Sequence, residues 1–246
     1  MLATPPSRVL RTSTVTALVA VGVVASACGS NAATLPTPGG VVAGTYVLER
    51  VGGTVLPHLF DDLRHRGGYV SLEADVIVLS GGGTYVESVA MSYASALAAP
   101  FVEGTPALQT GSFSASGAAL TMSTAPSYSG ARWATASGDS LVFAPTIPSD
   151  GAPRLYRRAA PVATVTLVLP PATFAPGTSA PIAVTLRDSS GTMLTHRVVI
   201  FRTSDPAVLT VDPGGNVTAR APGTAAITAT CEGTVGSVTI DVFAPP

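Results

Sequence analysis

The chain is predicted to be all-β: a curved antiparallel sheet or up-and-down barrel, followed by a sandwich of two sheets. Two observations carry this expectation. From Gly44 onward, apolar residues alternate with polar ones at a period of two, in runs of four to seven, and no stretch keeps a helical period. Between the runs lie turn formers drawn from 25 glycines and 21 prolines in 246 residues. A break in the pattern near residue 160 divides the chain into two β-rich halves.

The amino-terminal segment precedes both. Arg8 and Arg11 introduce an apolar run, Val15 to Ala27, that is thirteen residues long. As a helix it would span about 20 Å, short of a hydrocarbon core of about 30 Å, so it reads as a signal peptide over 1–27. Its end, "VVASAC" followed by Gly29, resembles the lipobox of bacterial lipoproteins, with Ala25 where that family usually has leucine. The resemblance implies that Cys28 is acylated and becomes the first residue of the mature chain. It also implies a bacterial cell-envelope location, at the outer membrane where the host has two. Residues 28–40, "CGSNAATLPTPGG", would then be the lipidated cysteine and a flexible tether.

The first β half, 41–160, offers strands at 45–51, 69–80 with an internal break, 84–94, 110–116, 118–124, 131–137, 139–143 and 154–159. Even spacing of this kind suits an up-and-down barrel. "GTYVLERVGGTVLP", "GGGTY", "GSFSASGAALTMS", "GDSLVF" and "RLYRR" resemble the lipocalin-like or META-like small β domains of bacterial envelope proteins. The resemblance implies that a small apolar ligand could sit in a cavity lined by Tyr46, Tyr85, Met91, Tyr93, Phe113 and Trp133. Packed core is the competing expectation for the same aromatic rows.

In the second half, 161–246, the rows Val165/Leu167/Leu169, Ile182/Val184/Leu186, Val199/Phe201, Ala225/Ile227/Ala229 and Val238/Ile240/Val242 each share a strand face. Two sheets about 10 Å apart would bury them. "SDP", "DPGG" and "APG" supply turns. "VATVTLVLPP", "APGTSAPIAVTLRDSSGTML", "VVIFRTSDPAVLTVDPGGNVTARAPGTAAITAT" and "SVTIDV" together resemble a bacterial Ig-like group 2 (BIG2) domain, with Phe201 where the family commonly has tryptophan. That family is frequently associated with adhesion.

Charge and chemistry narrow the function. There is no lysine, and net charge falls from -1 to -3 once Arg8 and Arg11 are removed. Nothing electrostatic therefore favours nucleic acid. No G-x-S-x-G elbow or phosphate loop is present. The densest polar cluster, "LPHLFDDLRHRGGY" at 56–69, places His58 and Asp62, and Asp61 and His65, four residues apart. On a short helix each pair would share a side and could weakly suggest a metal site; a solvated connection between strands is the plainer expectation. Leu56, Phe60 and Leu63 could cover one end of a barrel. Cys231 reads as a small thiol in an apolar row near a strand end. The chain is thus expected to be a membrane-anchored, non-enzymatic lipoprotein without cofactor, serving as an interaction, adhesion or spacing module toward an envelope protein or glycan. The alternative is a carrier of a small apolar ligand.

Overall fold

The computed structural model describes residues 41, 43–62, 68–95, 100–123, 132–145, 152–169 and 174–244, without the side chains of 61 and 62. Cys28, Leu63 and His65 lie outside them. Among the described residues there is no helix long and apolar enough to cross a membrane.

The first half is a closed eight-stranded antiparallel barrel. Its staves are β1 (Gly44–Val51), β4 (Gly68–Leu79), β5 (Thr84–Ala94), β7 (Ala107–Ser116), β8 (Ala119–Ser123), β9 (Arg132–Ser137), β10 (Ser140–Phe143) and β11 (Arg154–Ala159). From β4 to β11 each stave pairs with the next in the chain, and β1 closes the ring by pairing with both β4 and β11. Three short strands flank the staves: β2 (Thr54–Val55) on β1, β3 (His58–Asp62) on β4 and β6 (Val102–Glu103) on β5. Two hairpins, β7–β8 and β9–β10, turn on Gly117 and Gly138, whose φ of 58° and 57° an L side chain adopts only with strain.

The break expected within 69–80 is a β-bulge. The pairing of β4 with β5 slips between Leu72 and Ala74, leaving Glu73 as the extra residue. After the slip, Asp75, Ile77 and Leu79 point into the barrel, opposite Val89, Glu87 and Tyr85. Tyr46, Leu48, Met122, Leu141 and Tyr156 fill the axis, all buried. Gly111 faces inward where the wall comes close: a Cβ there would collide with the Ser123 carbonyl oxygen and lie 2.7 Å from the Tyr85 ring.

One expectation is corrected here. Residues 58–62 are not a helix or a plain connection but the edge strand β3, with His58 opposite Leu72 and Phe60 opposite Val70. Leu59 and Phe60 stand side by side between polar residues, so the segment shows no alternation; pairing with the first half of the long β4, along the side that β1 leaves open, decides it. Leu56 and Phe60 do pack against the barrel core.

The second half forms a β-sandwich. One sheet holds β13 (Ser179–Pro181), β17 (Asn216–Ala219) and β16 (Leu209–Val211) in the order β13-β17-β16; the other holds β15 (Ile200–Thr203), β18 (Gly223–Cys231) and β19 (Thr234–Val242). β12 (Thr164–Val168) pairs with β14 (Ala183–Arg187), which continues β13 past Ile182. Ala180, Leu209 and Val217 pack against Ala225, Ile227 and Ile240 in the shared core. The Asp212 carboxylate accepts the Asn216 amide at 2.8 Å, which closes the "DPGG" turn.

Candidate functional site

The barrel interior holds an ionic cluster that strand alternation alone puts there. Glu87 on β5, Arg132 on β9, Arg154 and Tyr156 on β11, and Asp75 on β4 all occupy inward positions, each opposite an inward neighbour in the register. Arg132 donates two parallel hydrogen bonds to Glu87, Nη1 to Oε1 at 2.7 Å and Nη2 to Oε2 at 2.6 Å. Its guanidinium also lies 5.1 Å from the centre of the Phe143 ring. The Tyr156 hydroxyl donates to Asp75 Oδ2 at 2.7 Å, and Arg154 Nη1 stands 3.7 Å from the same oxygen.

Asp75 and Glu87 are 0% and 1% exposed, so neither carboxyl can touch a substrate from solvent. Burial pushes the Asp75 carboxyl up to about 7, and the Glu87 charge adds to it; the Tyr156 hydrogen bond and the two arginines pull the other way. Burial raises the Tyr156 hydroxyl well above the ordinary tyrosine range. An acid poised near neutrality is what active sites use, but this one is sealed in and acts on the fold.

The sign of its effect follows from proton linkage. The folded chain holds the Asp75 proton up to about pH 7, whereas an unfolded aspartate releases it near 3.9. The neutral-Asp75 contribution is therefore complete below about pH 4 and is lost as pH rises toward 7, a few kcal/mol at most. Asp75→Asn, neutral at every pH, is expected to remove this slope. Thermal melts from pH 4 to 8 should show the wild-type Tm falling relative to that of the variant; parallel curves would contradict it.

The residues expected to line a cavity do not form one wall. Tyr46 and Tyr85 are buried among the core side chains, and Met91 and Phe113 pack half-buried against them. Tyr93 is 48% exposed and Trp133 60%. The reason for Trp133 is its phase: Ala134 and Ala136 take the inward positions of β9, which turns Trp133 to the outer wall. Of the four weak metal candidates, His65 and the side chains of Asp61 and Asp62 lie outside the described residues. On strand β3, positions four apart are separated by about 13 Å, and the His58 ring instead packs edge-on to Phe60, centroids 4.6 Å apart. Among the described residues no three histidine, cysteine, aspartate or glutamate side chains group to hold a metal.

The strongest polar feature outside the barrel is the barrel–sandwich junction, which the sequence reading did not single out. Arg197 and Glu232 pair at 3.0 Å with side chains each 4% exposed. Glu232 Oε2 also accepts the Val162 amide at 3.0 Å and the Thr45 hydroxyl at 3.4 Å, while Arg197 donates to the Ala160 carbonyl at 3.0 Å. Nearby, Val198 packs on Ala74 and Val76 of the barrel's outer wall. Glu232 holds this position at φ 51° in the β18–β19 turn, a conformation glutamate seldom adopts. Its only sequence signal is its place before Gly233.

Two clefts open beside the junction. One, of about 540 Å³, is lined by residues including Glu73, Met91, Glu103, Val199, Phe201 and Gly214; the other, about 450 Å³, lies between β1 and residues 193–197. In the first, Glu73 already accepts the Ser92 hydroxyl at 2.6 Å, and Arg197 is held by Glu232. Cys231 is a free, buried thiol, pushed up to about 12 by burial with the Glu232 charge adding, so it is held as an unreactive thiol.

No protein-family model and no curated protein matches the chain. Among solved structures, a crystal structure of the S-layer protein rSbsC(31-844) aligns with TM-score 0.31 and 14% identity, covering 82% of this chain and 37% of that one. The surface layer protein SbsC, domains 1–6, aligns with TM-score 0.31 and 15% identity, covering 83% of this chain and 40% of that one. The chain thus spans about two fifths of either.

Proposed function

We propose that the protein is a non-enzymatic envelope lipoprotein in which acylated Cys28 holds the chain on a membrane and residues 29–40 act as a tether. Two β modules, a lipocalin-like or META-like barrel over 41–160 and a BIG2-like sandwich over 161–246, are then presented as one interaction or spacing unit. The observation that carries this reading is the filled barrel. Tyr46, Tyr85, Met122, Leu141 and Tyr156 occupy its axis, and both buried carboxyls contact side chains of the barrel itself. An occupied interior favours a passive module over a carrier of a small apolar ligand within the barrel. The sheet assignment β13-β17-β16 against β15-β18-β19 supports the Ig-like reading of the second module.

Replacing Cys28 with alanine is expected to move the protein from the membrane fraction to the soluble fraction of its host, because several acyl chains contribute about 0.8 kcal/mol per buried methylene to insertion. Mass spectrometry of the wild-type amino terminus should find the lipid on Cys28. Wild-type protein recovered soluble with an unmodified thiol would overturn the proposal.

A further inference from the structure

We propose that the outer wall of β7–β10 is a binding platform for an uncharged polysaccharide, centred on Trp133. This rests on the interaction-module reading and names the class of its partner.

Trp133 is the chain's only tryptophan and is 60% exposed in the middle of a sheet, so more than half of this large apolar residue stays in water. The register places it directly opposite Thr121, which in turn faces Ser114 on β7. Thr135 is the next outward residue on β9, and Ser112 and Ser116 flank Ser114 along β7. Adjacent strands are about 4.8 Å apart, so hydroxyls border the indole on its β8 and β7 side at spacings a sugar ring can bridge. Ser112 is paired with Ser123 at 2.6 Å. The hydroxyls of Ser114, Ser116, Thr121 and Thr135 make no side-chain hydrogen bond among the described residues; Ser114, Ser116 and Thr135 are exposed and Thr121 is half-buried.

Charge selects among occupants. The outward positions of these four strands carry serine, threonine, alanine, Leu108, Val142 and Trp133, with no ionisable side chain. Such a surface has no complement for an acidic polymer or a basic protein patch. Its rows of hydroxyls also oppose burial in lipid, where each would lose water without replacement. A neutral glycan matches both features: the C–H face of a sugar ring stacks on an indole, and its hydroxyls exchange hydrogen bonds with serine and threonine.

The test uses the full chain carrying Cys28→Ala, so that tethering plays no part. The probes are neutral glucan, mannan and galactan, acidic polygalacturonate, and phosphatidylcholine vesicles. The sole tryptophan reports directly: at least one neutral polymer should blue-shift its emission, shield it from acrylamide and retard the protein in a gel containing the polymer. Trp133→Ala should weaken retardation by about tenfold or more, with the circular dichroism spectrum unchanged; Trp133→Phe should retain part of it. Unchanged emission and mobility with all three neutral polymers would overturn the proposal. Equal or stronger response to polygalacturonate or vesicles, or a blue shift that depends on protein concentration alone, would overturn it in favour of an acidic polymer, a lipid surface or a second copy. None of these results bears on the lipid at Cys28, so the two proposals fail separately.

Discussion

Replacing Arg132 with alanine is expected to cost about 3–5 kcal/mol, because it leaves the Glu87 carboxylate inside the barrel without its partner. For a chain of this size that lowers Tm by on the order of 10 °C. The distances give the reason. Glu87 is 1% exposed and receives both parallel hydrogen bonds from one guanidinium, so it loses both at once when that group goes. Removing both charges together, Glu87→Leu with Arg132→Met, should recover most of the loss, since a packed apolar pair carries no desolvation cost. A single variant that melts within 2 °C of wild type would show that the pair is not formed in solution.

Glu232→Gly separates two readings of the β18–β19 turn. If Glu232 merely occupies a turn position, glycine should stabilise the chain, since a φ of 51° costs glutamate and suits glycine. If its carboxylate instead ties Val162 and Arg197 together, the change strands Arg197, 4% exposed, and releases the Val162 amide. The expected result is destabilisation by about 3–5 kcal/mol. Cleavage within 159–163 by a broad-specificity protease should also accelerate, because the linker is stapled to the sandwich by Val162, Ala160 and the Thr234 hydroxyl bond to the Val162 carbonyl at 2.8 Å. Higher stability with unchanged cleavage would reduce Glu232 to a turn residue.

Much of the architecture was legible because period-two alternation is a local property. Ile182, Ala225, Ile227, Ile240 and Val242 occupy the sandwich core that their rows predicted, and Tyr46 and Leu48 face the barrel axis as expected. Alternation also fails in recognisable ways. It cannot place Glu73, because a bulge changes the phase of β4 without leaving a glycine or proline behind. It did not reveal β3, because Leu59 and Phe60 are adjacent in HLFDD and the segment does not alternate. For Trp133, aromatic size suggested an inward side chain, while the small inward neighbours Ala134 and Ala136 turned it out.

The sequence by itself determined that the chain is built of strands, where most of them lie, and which apolar rows are buried, since each of these depends on residues only a few positions apart. Tertiary structure alone decided that Glu87 meets Arg132 across 45 positions, that Asp75 meets Tyr156 across 81, and that Glu232 reaches Val162 across 70. Those partners are fixed by barrel closure and by the seating of one β module against the other. Closure and seating follow from the register and curvature of the whole sheet, which no short stretch of residues encodes.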